Sequence, residues 1–416
     1  MRMNKHLIYV TVLGGAVLQG AAVQAAEITW WAPNWGQARA EKLVADFEKA
    51  NPDIDVKLEI TVPDGLQNRI LVALRSGSPP DLVDVANGWN VPFAQTGKLE
   101  PLDELLAKNN VDLKDFLPAA LGTGTLNGKN YGLPYRVEAH ALIYNKGAYR
   151  EAGLDPEKPP QTWTELREHS KKLTRKTASG QQQYGFGVSG GGKDQPSNGV
   201  FRSLPYMWMN GGGIVSDDLK KVTLNEEASV AAVDFMAGLY AKDKVSPPST
   251  LENDGLALRR LFIAGTIAQY QSGQFDLATI HKENPALQIG VAPLPHPEGK
   301  QTSAILGGWN FVIPADSKNK EAAAKLLAYI STPENMGMYT DTFPARTSAM
   351  NLPRFQDPEL AGFKAMLPLA KPQPPAQNWI RITQSYFNHF QEVLLGSATA
   401  KEAMDDAAKE IQPMLQ

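Results

Sequence analysis

The chain has 416 residues, 43% apolar and 20% charged, so it can bury a large core and is neither a disordered nor a collagen-like chain. Its 41 Lys+Arg against 44 Asp+Glu leave a net charge of -3, which supplies no basic surface for a nucleic acid. It has no cysteine, which excludes disulfides, thiolate metal centres, thiol nucleophiles and a lipid-modified cysteine.

In chain order, Arg2 and Lys5 precede the apolar run 7–18, and small residues follow from Ala21 to Ala26. This three-part pattern predicts a signal peptide, 1–25, cleaved after Ala25; an uncleaved anchor is the alternative. The run is shorter than the roughly 20 apolar residues of a membrane-spanning helix. Residues 27–31 read as a strand. Leu43, Val44 and Phe47 then recur at helical spacing, Asn51-Pro52 stops the helix, and 55–60 alternate as a second strand. A helix over 66–74, a break at 76–80 and a strand at 81–86 repeat the βα pattern. Further on, strands are predicted at 141–144 and 184–188, with a helix opened by Thr162-Trp-Thr-Glu165. A last helix follows the capping-box spacing Thr399-Ala-Lys-Glu402. The class is α/β. Proline-bearing segments at 133–137, 292–297 and 342–346 read as extended crossings between α/β blocks, hinges on which two lobes could close.

Two catalytic motifs overlap at 187–194. As a phosphate loop the stretch places Asp194 where a magnesium-binding hydroxyl is needed; as a nucleophile elbow it presents Ser189 between glycines. Both motifs need a helix next, and 195–199 (Gln-Pro-Ser-Asn-Gly) reads as loop, so a flexible loop near a cleft is expected. The six histidines (6, 140, 169, 281, 296, 389) lack metal-ligand spacing, and no metal or cofactor is expected. Asp81 and Asp84 would point to opposite faces of a strand, so they make no catalytic pair.

Tryptophan is more informative. Trp35, Trp89, Trp208 and Trp309 each neighbour Asn or Gly, which predicts loop aromatics beside amides. A flat ring covers the C–H face of a sugar while amides bond its hydroxyls; core or interdomain packing is the alternative. Trp163, at a helix start, is assigned to packing.

At these residues the chain resembles the family-one solute-binding proteins of bacterial ABC importers, the maltose-binding-protein group. The phrases that carry the resemblance are Val137-Glu-Ala-His-Ala-Leu-Ile-Tyr-Asn-Lys146, Pro160-Gln-Thr-Trp-Thr-Glu-Leu166, Phe47-Glu-Lys-Ala-Asn-Pro-Asp-Ile54, Pro80-Asp-Leu-Val83, Ala94 to Leu102, Gly307-Gly-Trp309 and Ala322 to Leu327. The resemblance implies a two-lobed periplasmic-binding-protein fold of type II, each lobe a mixed sheet flanked by helices, with the ligand cleft between them. Lobe one would hold 26–134 and about 294–342, and lobe two about 137–293 and 343–416. Carried over by position, the cleft residues would be Asn34, Trp35, Asp84, Asn87, Trp89, Glu138, Trp208, Gly211, Gly308, Trp309, Arg346 and Trp379. Phe275 stands where the family often has Trp, and Arg136 where small residues are common before the Glu. The implied function is non-catalytic: a periplasmic monomer without a lipid anchor captures a small carbohydrate and hands it to the transmembrane subunits of a permease, the ATPase being engaged indirectly. Two alternatives stay open, an anionic solute gripped by Arg136 and Arg346, and a secreted serine hydrolase using Ser189.

Overall fold

The structure, a computed structural model, describes residues 25–62, 65–191 and 196–415. The predicted export segment up to residue 24 and the end of the 187–194 motif stretch, from Gly192 on, lie outside them.

The first third alternates strand and helix: β1 (Ala26–Pro33), α1 (Gln37–Ala50), β2 (Ile54–Thr61), α2 (Leu66–Ser76), β3 (Leu82–Ala86) and α3 (Asn87–Gln95). In α1 the stripe Ala40, Leu43 and Phe47 is buried, the spacing of one helical face. In β2 buried Ile54 and Val56 alternate with exposed Asp55 and Lys57, whereas β3, apolar but for Asp84, is buried on both faces, as a strand in the middle of a covered sheet requires. The chain continues through β4 (Leu133–Ala139), β5 (Ala141–Asn145), α4 (Trp163–Leu173), α5 (Pro196–Asn210), α6 (Glu227–Ala241), β6 (Gln269–Ser272), β7 (Ile289–Ala292) and β8 (Ala304–Val312). It ends with β9 (Phe343–Pro344), β10 (Ala370–Lys371), α7 (Trp379–Leu395) and α8 (Ala400–Ile411).

Among the described residues seven strands form one sheet in the order β9-β4-β8-β3-β1-β2, with β10 paired to the start of β8. β1 runs parallel to β2 and β3, while β8 is antiparallel to β3 and β4. A second sheet, β6-β5-β7, is antiparallel, and α5, α6, α7 and α8 pack together beside it. Two sheets with separate helical layers make two lobes. Both predicted capping boxes are present, Thr162 with Glu165 and Thr399 with Glu402. Among the described residues no helix is long and apolar enough to cross a membrane.

The crossings differ in detail from the proline-bearing segments. β4 stays in the first sheet to Ala139 and β5 opens in the second at Ala141, so the change of sheet falls on His140, beyond 133–137. The return passes between Ala292 and Ala304, a span that includes 293–297. The segment 342–346 does not leave the first lobe: Phe343 and Pro344 pair with Val137 and Arg136, and Leu117 N donates to Ala345 O. An extended proline-bearing segment serves equally well as an edge strand, which is what happens here. Around the glycine-rich tract, Tyr184 and Gly187 bridge to Ile267 and Tyr270 at the margin of the second sheet. From Pro196 on, the segment expected to be loop is instead the start of α5, with Pro196 in the first turn, where its missing N–H costs nothing.

Candidate ligand-binding site

Strands β1 and β3 end at the same edge of the first sheet, the place where open α/β sheets bind ligands. After β1 comes a single 3-10 turn, Asn34–Gly36, carrying exposed Asn34 and half-buried Trp35; after β3 the first turn of α3 carries Asn87 and half-buried Trp89. Running the other way, β8 sets Trp309 opposite both Ala86 and Arg136. The Trp309 ring therefore stands between two others, 5.6 Å from Trp35 at 71° and 5.8 Å from Trp89 at 67°. Edge-to-face packing of this kind fixes each ring before a ligand arrives and builds a partly exposed apolar wall.

Arg136 adds charge to the wall. Its guanidinium lies 4.4 Å from the Trp35 ring centre, with Nη2 2.6 Å from Glu138 Oε2 and Nη1 2.8 Å from Asp341 Oδ1. Burial works to lower its pKa, but Glu138 and Asp341 outweigh burial and raise it, so the group stays charged. The close approach of β8 to β4 depends on Gly307-Gly308. Gly308 has φ +144°, and a Cβ there would collide with Arg136 O; a Cβ on Gly307 would stand 2.7 Å from Glu138 Cγ.

The second lobe brings other predicted residues. Trp208 lies in the last turn of α5, with Lys371 Nζ 5.8 Å from its ring, and Gly211 at φ +88° closes that helix. Phe275 follows β6 and lies 6.0 Å from the ring of His140, which also contacts Phe201 at 5.3 Å. Trp379 opens α7 and is nearly buried, its Nε1 donating to Gln373 Oε1 at 2.7 Å. Gln373 and Pro375 in turn face Asn87, Gly88 and Pro92 across a cavity of about 70 Å³, and Asn87 Nδ2 donates to Leu306 O.

Two predicted residues are committed elsewhere. Asp84 is buried in the first lobe, accepting 2.7 Å bonds from Trp30 Nε1 and Tyr339 OH; burial pushes its pKa up to about 7, against the pull of those donors. Arg346 spends its Nε on Asp115 at 2.7 Å and Nη1 on Ser331 O, and covers Phe116, all in the first lobe and apart from Arg136. Asp81 is likewise structural, bonding Thr29 N and Ser317 Oγ. Trp163 packs as expected, stacked on Phe235 at 4.3 Å.

The aromatics expected in loops sit in regular elements instead, Trp309 in a strand and Trp89 and Trp208 in helices, because the neighbouring Asn and Gly mark element ends rather than long loops. Sequence reasoning missed Asp341 and Gln373. Neither lies in a motif, and the partner of each is recognisable only in space.

The hydrolase alternative loses its geometry. Ser189 is buried and its Oγ donates to Asn253 O at 3.3 Å; among the described residues no histidine is bonded to it. Nor does any group of three or more His, Asp or Glu among the described residues come together as a metal site. A larger furrow of about 820 Å³ lies away from the tryptophans on the first lobe, lined by the ion pairs Lys320–Glu100 and Lys108–Glu321 and by no aromatic ring.

Comparisons with known proteins agree with this architecture. An sn-glycerol-3-phosphate-binding periplasmic protein, UgpB of Salmonella typhimurium, is 27% identical over 369 residues, 83% of this chain and 81% of its own. A Brucella abortus (strain 2308) protein with a provisional binding-protein name is 28% identical over 382 residues, 90% of this chain and 89% of its own. The crystal structure of an ABC transporter solute-binding protein from Thermotoga lettingae, bound with α-D-tagatose, superposes with a TM-score of 0.83 at 28% identity, covering 94% of this chain and all of that one. The pattern of the family described as bacterial extracellular solute-binding proteins matches residues 32–337. With that match over most of its length and a two-lobed fold shared with solved relatives, this chain belongs to the bacterial extracellular solute-binding protein family.

Proposed function

We propose that this protein captures a sugar or sugar-like solute between its lobes and delivers it to the membrane permease of an ABC importer. The observation that carries the ligand class is the Trp35–Trp309–Trp89 wall at the edge of the first sheet. Three rings fixed at steep mutual angles offer apolar faces to the C–H surfaces of a pyranose or polyol, and nearby amides and carboxylates serve its hydroxyls. The tagatose-bound relative and the glycerol-phosphate-binding relative both take small hydroxylated solutes, in keeping with this reading. The role is non-enzymatic: the lobes close over the ligand about crossings such as His140, and the closed form docks on the transmembrane subunits, with ATP hydrolysis on a separate subunit. The protein works as a periplasmic monomer, freed by cleavage after Ala25.

The test is a thermal melt with mono- and disaccharides, polyols and glycerol phosphates. A ligand at about 100 times its Kd should add roughly 2.7 kcal/mol of stability. A panel in which no hydroxylated solute moves the melt defeats the proposal.

A further inference from the structure

The cation at the candidate site already has protein counter-ions. Arg136 is 6% exposed, and both terminal nitrogens of its guanidinium face carboxylates, Nη2 at 2.6 Å from Glu138 and Nη1 at 2.8 Å from Asp341. Arginine holds a phosphate or carboxylate by offering two parallel N–H groups at once, and here that fork is occupied. A phosphate ester would have to displace one carboxylate or sit beside both at like charge, a juxtaposition that weakens its binding.

The neighbouring cations do not restore an anion site. Arg39 donates to Tyr339 O and Trp35 O, and Arg354 to Gly337 O and Thr340 O, so both secure the turns around Asp341 and Trp35. Arg346 is paired with Asp115. Lys371, near Trp208, is exposed, where an ion pair is screened and weak. Arg136 Nε has no hydrogen-bond partner among the described residues, a donor that suits a neutral hydroxyl oxygen.

We infer that the site selects uncharged polyhydroxylated solutes and rejects phosphate esters, with Glu138 and Asp341 as the residues that set this selectivity by holding Arg136 between them. The inference rests on the saccharide reading above and narrows it, and it sets this chain apart from the glycerol-3-phosphate binder it resembles.

The experiment is calorimetric titration of the exported chain with maltose, α-D-tagatose and sn-glycerol 3-phosphate, repeated on Glu138→Gln, Asp341→Asn and the double variant. The parent should bind at least one neutral probe about 100-fold more tightly than the phosphate ester, and the double variant should narrow that ratio at least tenfold. If the parent takes glycerol 3-phosphate as tightly as the best sugar, the inference is overturned while the transport role stands. An unchanged ratio in variants that still melt cooperatively also overturns it, since the carboxylates then set nothing. Failure of the parent to bind any of the three, together with a flat wider melt panel, removes the saccharide reading itself.

Discussion

Trp309 and Asp84 show how differently two residues on adjacent strands of one sheet can be used. Trp309 is half-buried and is the ring that touches both Trp35 and Trp89, so its loss should unfasten the wall. Trp309→Ala is expected to weaken the best ligand at least tenfold by titration calorimetry while circular dichroism stays that of a folded chain; parental affinity would place the ligand elsewhere. Gly308→Ala should act through the backbone, because the new Cβ meets Arg136 O at a positive φ that only glycine takes easily. Asp84 is a carboxyl kept in the dark. With its pKa pushed up to about 7 against an unfolded value near 4, the folded chain binds a proton that the unfolded chain has released between those limits. Stability therefore falls as pH rises through that window, by on the order of 3–4 kcal/mol at most. Asp84→Asn should flatten the trend, so melts at pH 5 and pH 7.5 on parent and variant suffice; parallel slopes would show that Asp84 does not titrate there.

Elements were the most legible scale. The 3.6-residue stripe of α1, the alternation in β2 and the capping boxes before α4 and α8 depend on neighbours a few positions apart, and all appear as read. Thr399→Ala should remove the α8 cap and cost about 1 kcal/mol in urea unfolding without altering ligand affinity, since the cap belongs to the outer helical layer. Elsewhere one local signal serves two structures. Pro196 can end a loop or begin a helix, and Asn or Gly beside a tryptophan marks a loop or merely an element's end. Within the proline-bearing segment 342–346, Phe343–Pro344 is an edge strand rather than a crossing, because both are extended and both tolerate proline.

At the scale of the molecule, the lobes are joined through His140, through the return between β7 and β8, and through the passage from β10 to α7, few covalent connections between large bodies and the arrangement that permits hinge closure. The absence of cysteine makes this measurable, because Lys49→Cys on α1 and Lys282→Cys on the second lobe would carry the only dye labels. Energy transfer between them should rise on saturation with a bound sugar, and an efficiency that stays flat while calorimetry reports binding would rule out closure.

Composition, the export-signal pattern, the βα rhythm and the family phrases were open to reading along the chain, because each is written in residues close together. The tertiary structure alone decided which side chains share the candidate site. It joined Trp35, Trp89 and Trp309, drew Asp341 to Arg136, and took Asp84 and Arg346 away to other partners. Those pairings lie between residues far apart in sequence, where strand order and register, rather than local propensity, determine which charges meet.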